Sequence, residues 1–520
     1  MHSIDWCPDG QCLLYLSREA PGKEEKRLKE EGGIRVVDGF VRMPQVWTVE
    51  VAGGQCRQLT RDRSAKAAAR WSPDGRRIAF EQRPDPTANQ AFGSRLYVME
   101  ASGKGKRRLT SASDCENAPR WSPDGQEIAY LRRTALRYPQ LDELAMVPLR
   151  GGGARVLTRR LDRSVTEMQW APDGRHIVAA VHDGMRQHLH AVAARGGRCR
   201  PLTEGDRLVS APRLAGGRMA FLSESCTEPG EIHVAAPDGR GEERLTATNP
   251  QVKGWRLGRT RALRWKAPDG LEVEGVLVLP PDYRKGRALP LIVEPHGGPA
   301  GARTWGFYAG WQVLAGRGYA VLAPNFRGSA GYGQAFVAAN EDDFGGGDFA
   351  DVMSGVDALV EKGIADPRRL GIMGYSYGGY MTAWAIGQTD RFRAAVAGAG
   401  VTNLQSFYGT SDIQWFTRQY QRGAPWERAE RYAAQSPITF VGRVKTPTLI
   451  YHGDEDRRVP MEQSEQLYVS LRERGVPTQL VRYPRAGHGL SEYHHRRDCL
   501  ERIVAWLDRW VKPARARGWR

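Results

Sequence analysis

Two rhythms of apolar and polar positions divide this chain. Through the first half, short segments alternate every second residue, as in Arg77-Ile-Ala-Phe80 and Glu127-Ile-Ala-Tyr130, which predicts strands with one buried face. Each follows a copy of one turn: Trp6-Cys-Pro-Asp-Gly10, Trp71-Ser-Pro-Asp-Gly75, Trp121-Ser-Pro-Asp-Gly125 and Trp170-Ala-Pro-Asp-Gly174, with Leu214-Ala-Gly-Gly217 as a worn fifth. Pro and Asp suit the central positions of a turn and Gly its left-handed exit, so every copy reads as a hairpin tip. A Leu-Thr pair closes each unit at Thr60, Thr110, Thr158, Thr203 and Thr246, at intervals of 50, 48, 45 and 43 residues. A period of roughly 40 to 50 residues with several short strands predicts β-propeller blades; unrelated hairpins of a sandwich do not keep such spacing. Gly22 to Gly33 stretches the first unit with mixed charge and glycine at both ends, and reads as a solvated excursion with one helical turn.

After Thr246 the rhythm changes. Asn249-Pro250 and Gly254 mark a joint, and Trp265-Lys-Ala-Pro-Asp-Gly270 imitates the blade turn without a Leu-Thr closure, so it reads as the first hairpin of a second domain. The expected division is a propeller over 1–255 and an α/β domain over 256–520. Strand-like runs occur at Leu289 to Glu294, Tyr319 to Pro324, Leu370 to Met373, Phe392 to Ala397, Thr448 to His452 and Leu480 to Tyr483, with helical patterns such as Phe349 to Lys362 and Glu462 to Arg474 between them. Such alternation predicts a mainly parallel sheet covered on both faces, with active groups at the carboxyl ends of its strands.

The candidate chemistry sits on those strand ends. Gly374-Tyr-Ser-Tyr-Gly-Gly379 joins an apolar strand to a helical pattern and reads as a nucleophile elbow. Gly374 and Gly378 lack the Cβ that the sharp turn would crowd, and Ser376 stands between them. A serine needs a base and an acid to orient it. The strand Thr448 to His452 runs into an acidic loop holding Asp454 and Asp456, and a later strand ends on Ala486-Gly-His488. The order Ser, acid, His is that of α/β-hydrolases. His452 is better placed to support the acidic loop, His494 and His495 open the last helical pattern, and a Cys499–His pair is the remaining nucleophile candidate. Attack on a carbonyl creates an alkoxide that needs donors. The amide of Tyr377 supplies one, and Pro295-His-Gly-Gly-Pro299 lets a backbone amide approach, that of Gly298, as the second. Tyr375, Trp415, Phe416 and Tyr420 are aromatic candidates for a substrate-pocket wall, a role that competes with plain core packing.

Composition narrows this reading. With 520 residues the chain needs two or three cores. The net charge of +17 comes mostly from arginines spread along the whole length, without a basic helix or an RNA-binding aromatic signature, so a solvated surface is expected and nucleic acid is not. Acidic peptides remain compatible with that charge. Seven cysteines without paired spacing predict reduced thiols and a cytoplasmic location, and neither a standard leader nor a membrane-spanning apolar run is expected.

The stretches His296-Gly-Gly-Pro299, Asn325-Phe-Arg-Gly-Ser-Ala-Gly-Tyr-Gly333, Asp366-Pro, Gly374 to Tyr380, Thr389-Asp-Arg-Phe392, Tyr408-Gly-Thr-Ser-Asp412, His452 to Pro460 and Ala486 to Gly489 together resemble the prolyl oligopeptidase family of serine peptidases, nearest its acylaminoacyl-peptidase branch. The resemblance implies Ser376 as nucleophile, Asp456 as orienting acid, His488 as base, and the amides of Gly298 and Tyr377 as oxyanion donors. It implies cleavage of short peptides through an acyl-enzyme with release of an N-terminal residue, blocked or free, and no metal or organic cofactor. A homo-oligomer is left open, and an esterase of the same fold and a noncatalytic propeller scaffold are the rival readings. Family members resemble a seven-bladed propeller, whereas five repeats are visible here, so an abridged propeller with exposed blade faces is expected.

Overall fold

The computed structural model describes residues 4–512 except 35, 38, 40, 111–113 and 134–137. Its first half forms five four-stranded antiparallel units. The innermost strands of the second to fifth are Ala65–Trp71, Cys115–Trp121, Ser164–Trp170 and Leu208–Ala215, and the first unit begins with Asp5–Trp6. The hairpin tips carry glycines at φ 63–70°, and Asp74 shows how a tip is held: its Oδ1 accepts from the Arg76 amide at 3.0 Å and from the Ser72 hydroxyl at 2.6 Å. The Leu-Thr pair also has a mechanical role. The Thr60, Thr158, Thr203 and Thr246 hydroxyls accept from the amides of Val46, Leu144, Leu189 and Ile232 at 2.9–3.0 Å, tying the closing pair to the third strand of blades 1, 3, 4 and 5. The charged excursion of blade 1 holds an exposed helix, Lys23–Glu30, two turns long where one was expected.

Neighbouring blades pack through a tryptophan. Trp121 and Trp170 donate their indole N–H to the carbonyls of Arg70 and Arg120 in the preceding blade at 3.1 and 3.2 Å. Trp71 is 8% exposed in the same place, whereas Trp6 of blade 1 is 58% exposed. Blade 5 shows the complementary face: Leu245 is 60% exposed, while Leu157, its counterpart in blade 3, is 8% exposed against blade 4. Among the described residues no strand of blade 1 pairs with one of blade 5.

The second half builds one eight-stranded sheet from β1 Arg259–Lys266, β2 Glu272–Leu279, β3 Leu289–Val293, β4 Ala320–Asn325, β5 Ala365–Tyr375, β6 Phe392–Gly398, β7 Thr448–Gly453 and β8 Thr478–Tyr483. The spatial order is β1-β2-β4-β3-β5-β6-β7-β8. β1, β2 and β4 pair antiparallel, and from β4 onward every pair is parallel. Leu291, Val293, Leu322, Leu370 and Ile372 face one core, and Val276, Ile292, Val321, Ala394 and Val396 face the other, so both sides of the sheet are buried. Strand β5 begins five residues before the apolar run that predicts it, because Asp366-Pro-Arg-Arg369 at its start carries no apolar signal. The helices Ala309–Gly316, Leu404–Thr410, Gln414–Tyr420 and Ala429–Ala434 are additions to the sequence reading; all are eight residues or shorter, too short for a clear helical period. Among the described residues no helix is long and apolar enough to cross a membrane.

Candidate active site

Ser376 directly follows β5 and caps the helix Tyr377–Gln388 at φ 59°, ψ −120°, a conformation costly for any residue with a side chain. It is held there from both sides: its amide donates to the Gly398 carbonyl and its carbonyl accepts from Tyr380, each at 2.9 Å. The glycines explain how the turn closes. A Cβ on Gly374 would overlap the Gly378 carbonyl oxygen, and one on Gly378 would overlap the Pro295 carbonyl oxygen. The elbow therefore fits only against the loop that follows β3.

His488 lies in the loop after β8, with Nε2 3.0 Å from Ser376 Oγ and Nδ1 2.6 Å from Asp456 Oδ2. Asp456 follows β7 and is buried. Its Oδ1 accepts from the amides of Arg458 and Val459 at 2.9 and 3.0 Å, and His452 Nε2 lies 3.3 Å from Oδ2. Burial pushes this carboxyl up, but hydrogen bonds from His452 and His488 outweigh it and hold the group down at about 2. Asp454, the other acid of the loop, pairs instead with Arg482 at 2.7 Å. His452 braces the loop, bonded to Ser464 Oγ and the Val459 carbonyl at 2.7 Å each. Cys499 is buried in the core under the last helix, Tyr493–Val511, and burial raises its thiol to about 11. His495 shares that helix and lies against the Tyr483 ring.

The loop after β3 rests on the serine. A Cβ at Gly297 would lie 3.3 Å from Ser376 Cβ, and Gly298 sits at φ 128°, in the region that favours glycine. His296 braces this loop from beneath, with Nδ1 bonded to the Gly297 carbonyl at 2.8 Å and Nε2 to the Ser329 hydroxyl at 2.7 Å. Tyr377 opens the elbow helix, where first-turn amides have no partner within the helix. Its hydroxyl bonds the fully buried carboxyl of Asp348, whose other oxygen accepts from Gly345 and Phe349 at 2.9 and 2.8 Å. Burial raises Asp348 to about 7 despite these bonds.

Beside the serine opens a cavity of 290 Å³ lined by Gly298, Ser376, Tyr377 and His488, with apolar walls that include Phe344, Leu404, Phe407 and Phe416. Of the four aromatic candidates, only Phe416 lines it. Tyr420 is buried behind the wall against Phe344 and Tyr138, Tyr375 stacks on Tyr451 and lies beside His488, and Trp415 stacks on Phe92 at 3.8 Å. Spacing alone does not separate the face that lines a cavity from the one that packs behind it. The lining residues missing from the sequence reading include Phe92 and Tyr138, which come from the propeller. No local signal marks them. Phe92 arrives on the insertion Ala88–Gly93, which docks through Asn89 onto Gln414 and the Trp415 amide, the latter bond being 3.0 Å.

An elbow serine facing an imidazole and a buried carboxylate, beneath a roof of propeller blades, is the arrangement of a serine hydrolase on the α/β-hydrolase fold. Residues 305–514 match the prolyl oligopeptidase family and residues 41–255 match the TolB beta propeller domain. The chain is 34% identical to the uncharacterized peptidase YuxL of Bacillus subtilis, over 97% of this chain and 82% of that protein. It is 30% identical to dipeptidyl-peptidase 5 of Porphyromonas gingivalis over 72% of this chain, spanning little more than half of that relative, 56%. An acylaminoacyl peptidase structure from Pyrococcus horikoshii superposes with a TM-score of 0.85 at 25% identity, covering 100% of this chain and 83% of that one. The chain belongs to the prolyl oligopeptidase family and is a serine-type peptidase.

Proposed function

We propose that the protein hydrolyses short peptides through an acyl-enzyme, releasing an N-terminal residue, blocked or free, with Ser376 as nucleophile. The hydrogen-bonded line from Ser376 through His488 to Asp456 carries this reading. The serine hydroxyl donates to His488 Nε2, and Nδ1–H donates to Asp456. As Ser376 Oγ bonds the carbonyl carbon, its proton passes to Nε2, and Asp456 stabilises the imidazolium. The alkoxide sits between the amides of Gly298 and Tyr377. Collapse of the intermediate breaks the peptide bond, His488 returns the proton to the leaving amine, and water then repeats the sequence on the ester.

The aromatic cavity beside Ser376 favours an apolar side chain on the residue whose carbonyl is attacked. The acylaminoacyl peptidase likeness supports action at peptide N-termini. The division into 1–255 and 256–520 is supported by the last blade strand, which ends at Arg244, and by β1, which begins at Arg259. A cytoplasmic setting is supported by seven cysteines without a disulfide among them. The mechanism needs no nucleic acid, metal or organic cofactor, and it leaves a homo-oligomer open. A peptide-library digest read by mass spectrometry, comparing the parent with Ser376→Ala, tests the reading. Serine-dependent release of single N-terminal residues is expected; cleavage that survives the substitution, or an organophosphonate that leaves Ser376 unlabelled, refutes it.

A further inference from the structure

The blade repeat carries a second pattern, independent of the hydrolase site. In the innermost strands of blades 2, 3 and 5 the residue at the end of the run is arginine: Arg70 and Arg120 directly before the blade tryptophan, and Arg213 before Leu214. Blade 4 has Gln169 at this place and blade 1 has Asp5. A bulge precedes each arginine. Ala68, Ala118 and Ala211 take φ of 45°, 54° and 52°, and the ladder shifts register there in all three blades. A bulge redirects the side chains beside it, and the innermost strand of a blade borders the propeller axis.

Among the described residues none of these three charges is held in an ion pair. Each guanidinium donates to the carbonyl just before it, Ala69, Pro119 or Pro212, at 2.8–2.9 Å, and among the described residues none has a carboxylate within 4.0 Å. Two acids attract Arg120 without forming an ion pair with it. Asp5 accepts from the Trp71 amide at 2.8 Å, and Glu81 pairs with Arg83 at 2.9 Å and accepts from the Ala118 amide at 2.8 Å. Burial, with the like charges of Arg70 and Arg213, lowers Arg120 to about 10. Arg213 stands at the matching place of the innermost strand two blades further along the chain. Arg213 is exposed and Arg70 and Arg120 are half-buried, and like charges gathered about one axis repel one another until an anion binds among them.

We propose that Arg70, Arg120 and Arg213 form a recognition site on the propeller axis for the carboxylate groups of acidic peptides. The peptide assignment rests on the peptidase reading; the anion site itself does not. Bidentate guanidinium–carboxylate bonds supply the chemistry, and three forks around one axis suit a chain bearing several carboxylates. Gln169 at the fourth place adds an uncharged donor.

The test is calorimetric binding of tetraglutamate, tetraglutamine and inorganic phosphate to the full chain carrying Ser376→Ala, with and without Arg120→Gln, at low and physiological salt. Tetraglutamate is expected to bind, to weaken about tenfold with Arg120→Gln, and to weaken further with Arg70→Gln added, while tetraglutamine shows no binding. Equal affinity for the two peptides, or an affinity indifferent to both substitutions, overturns the site. Phosphate binding that depends on Arg120 while tetraglutamate fails to bind overturns the peptide assignment. Circular dichroism of each variant controls for folding. Because Ser376 is absent from every arm, failure of the catalytic reading leaves these outcomes unchanged.

Discussion

Asp348 is a buried acid whose environment sets a measurable pH signature. Its carboxyl has no solvent exposure and is raised from 3.8 to about 7, chiefly by burial. The folded value lies above the unfolded one, so the folded chain holds this proton more tightly. The resulting stability is fully present below pH 3.8 and is lost as pH rises through about 7. A shift of about three units at about 1.4 kcal/mol each gives a total near 4 kcal/mol, of which about 3 kcal/mol is lost between pH 5 and pH 8. Asp348→Asn removes the titration while keeping the shape: an amide oxygen can still accept from Gly345 and Phe349, and the amide nitrogen can donate to the Tyr377 hydroxyl. Urea unfolding of parent and variant at pH 5 and pH 8 isolates the group, since every other titration is common to both. The parent is expected to lose about 3 kcal/mol more than the variant over this interval. Equal losses in the two proteins refute the reasoning.

Asp456→Asn keeps the packing around His488 but favours the wrong tautomer, so kcat is expected to fall about 10⁴-fold with little change in KM, read in steady-state kinetics. Asp456 itself is held at about 2, below its ordinary 3.8, so the stability it supplies is present above pH 4 and lost as pH falls through about 2; a steeper acid unfolding limb in the parent than in the variant checks this. Gly378→Ala places a Cβ onto the Pro295 carbonyl, so phosphonate labelling of Ser376 is expected to slow sharply even where circular dichroism shows a folded chain. Phe92→Ala opens the roof of the cavity, and KM for peptides with a large apolar residue at the cleaved bond is expected to rise about tenfold while kcat changes little. An unchanged KM would show that Phe92 takes no part in side-chain selection.

Much of this molecule was written in short-range pattern. The recurring Trp-Ser-Pro-Asp-Gly turn and Leu-Thr pair specify a blade because each acts locally, the turn by a left-handed exit at the tip and the pair by a hydroxyl that ties it to the third strand. The elbow is local too, since Gly374, Ser376 and Gly378 answer to one crowded turn. The meeting of Ser376, Asp456 and His488 was legible only as an order along the chain, each residue lying just past a strand; parallel pairing of β5 to β8 turns that order into adjacency, because parallel strands put all their carboxyl ends on one edge. Tertiary structure alone decided the rest. It chose Asp456 over Asp454 by turning one carboxylate inward and giving the other to Arg482, and it left only Phe416 of four aromatic candidates in the cavity wall. It also brought Phe92 and Tyr138 from the propeller onto the cavity beside Ser376. Side-chain periodicity tells which face of a strand or helix is buried; which distant face it is buried against depends on how whole domains pack.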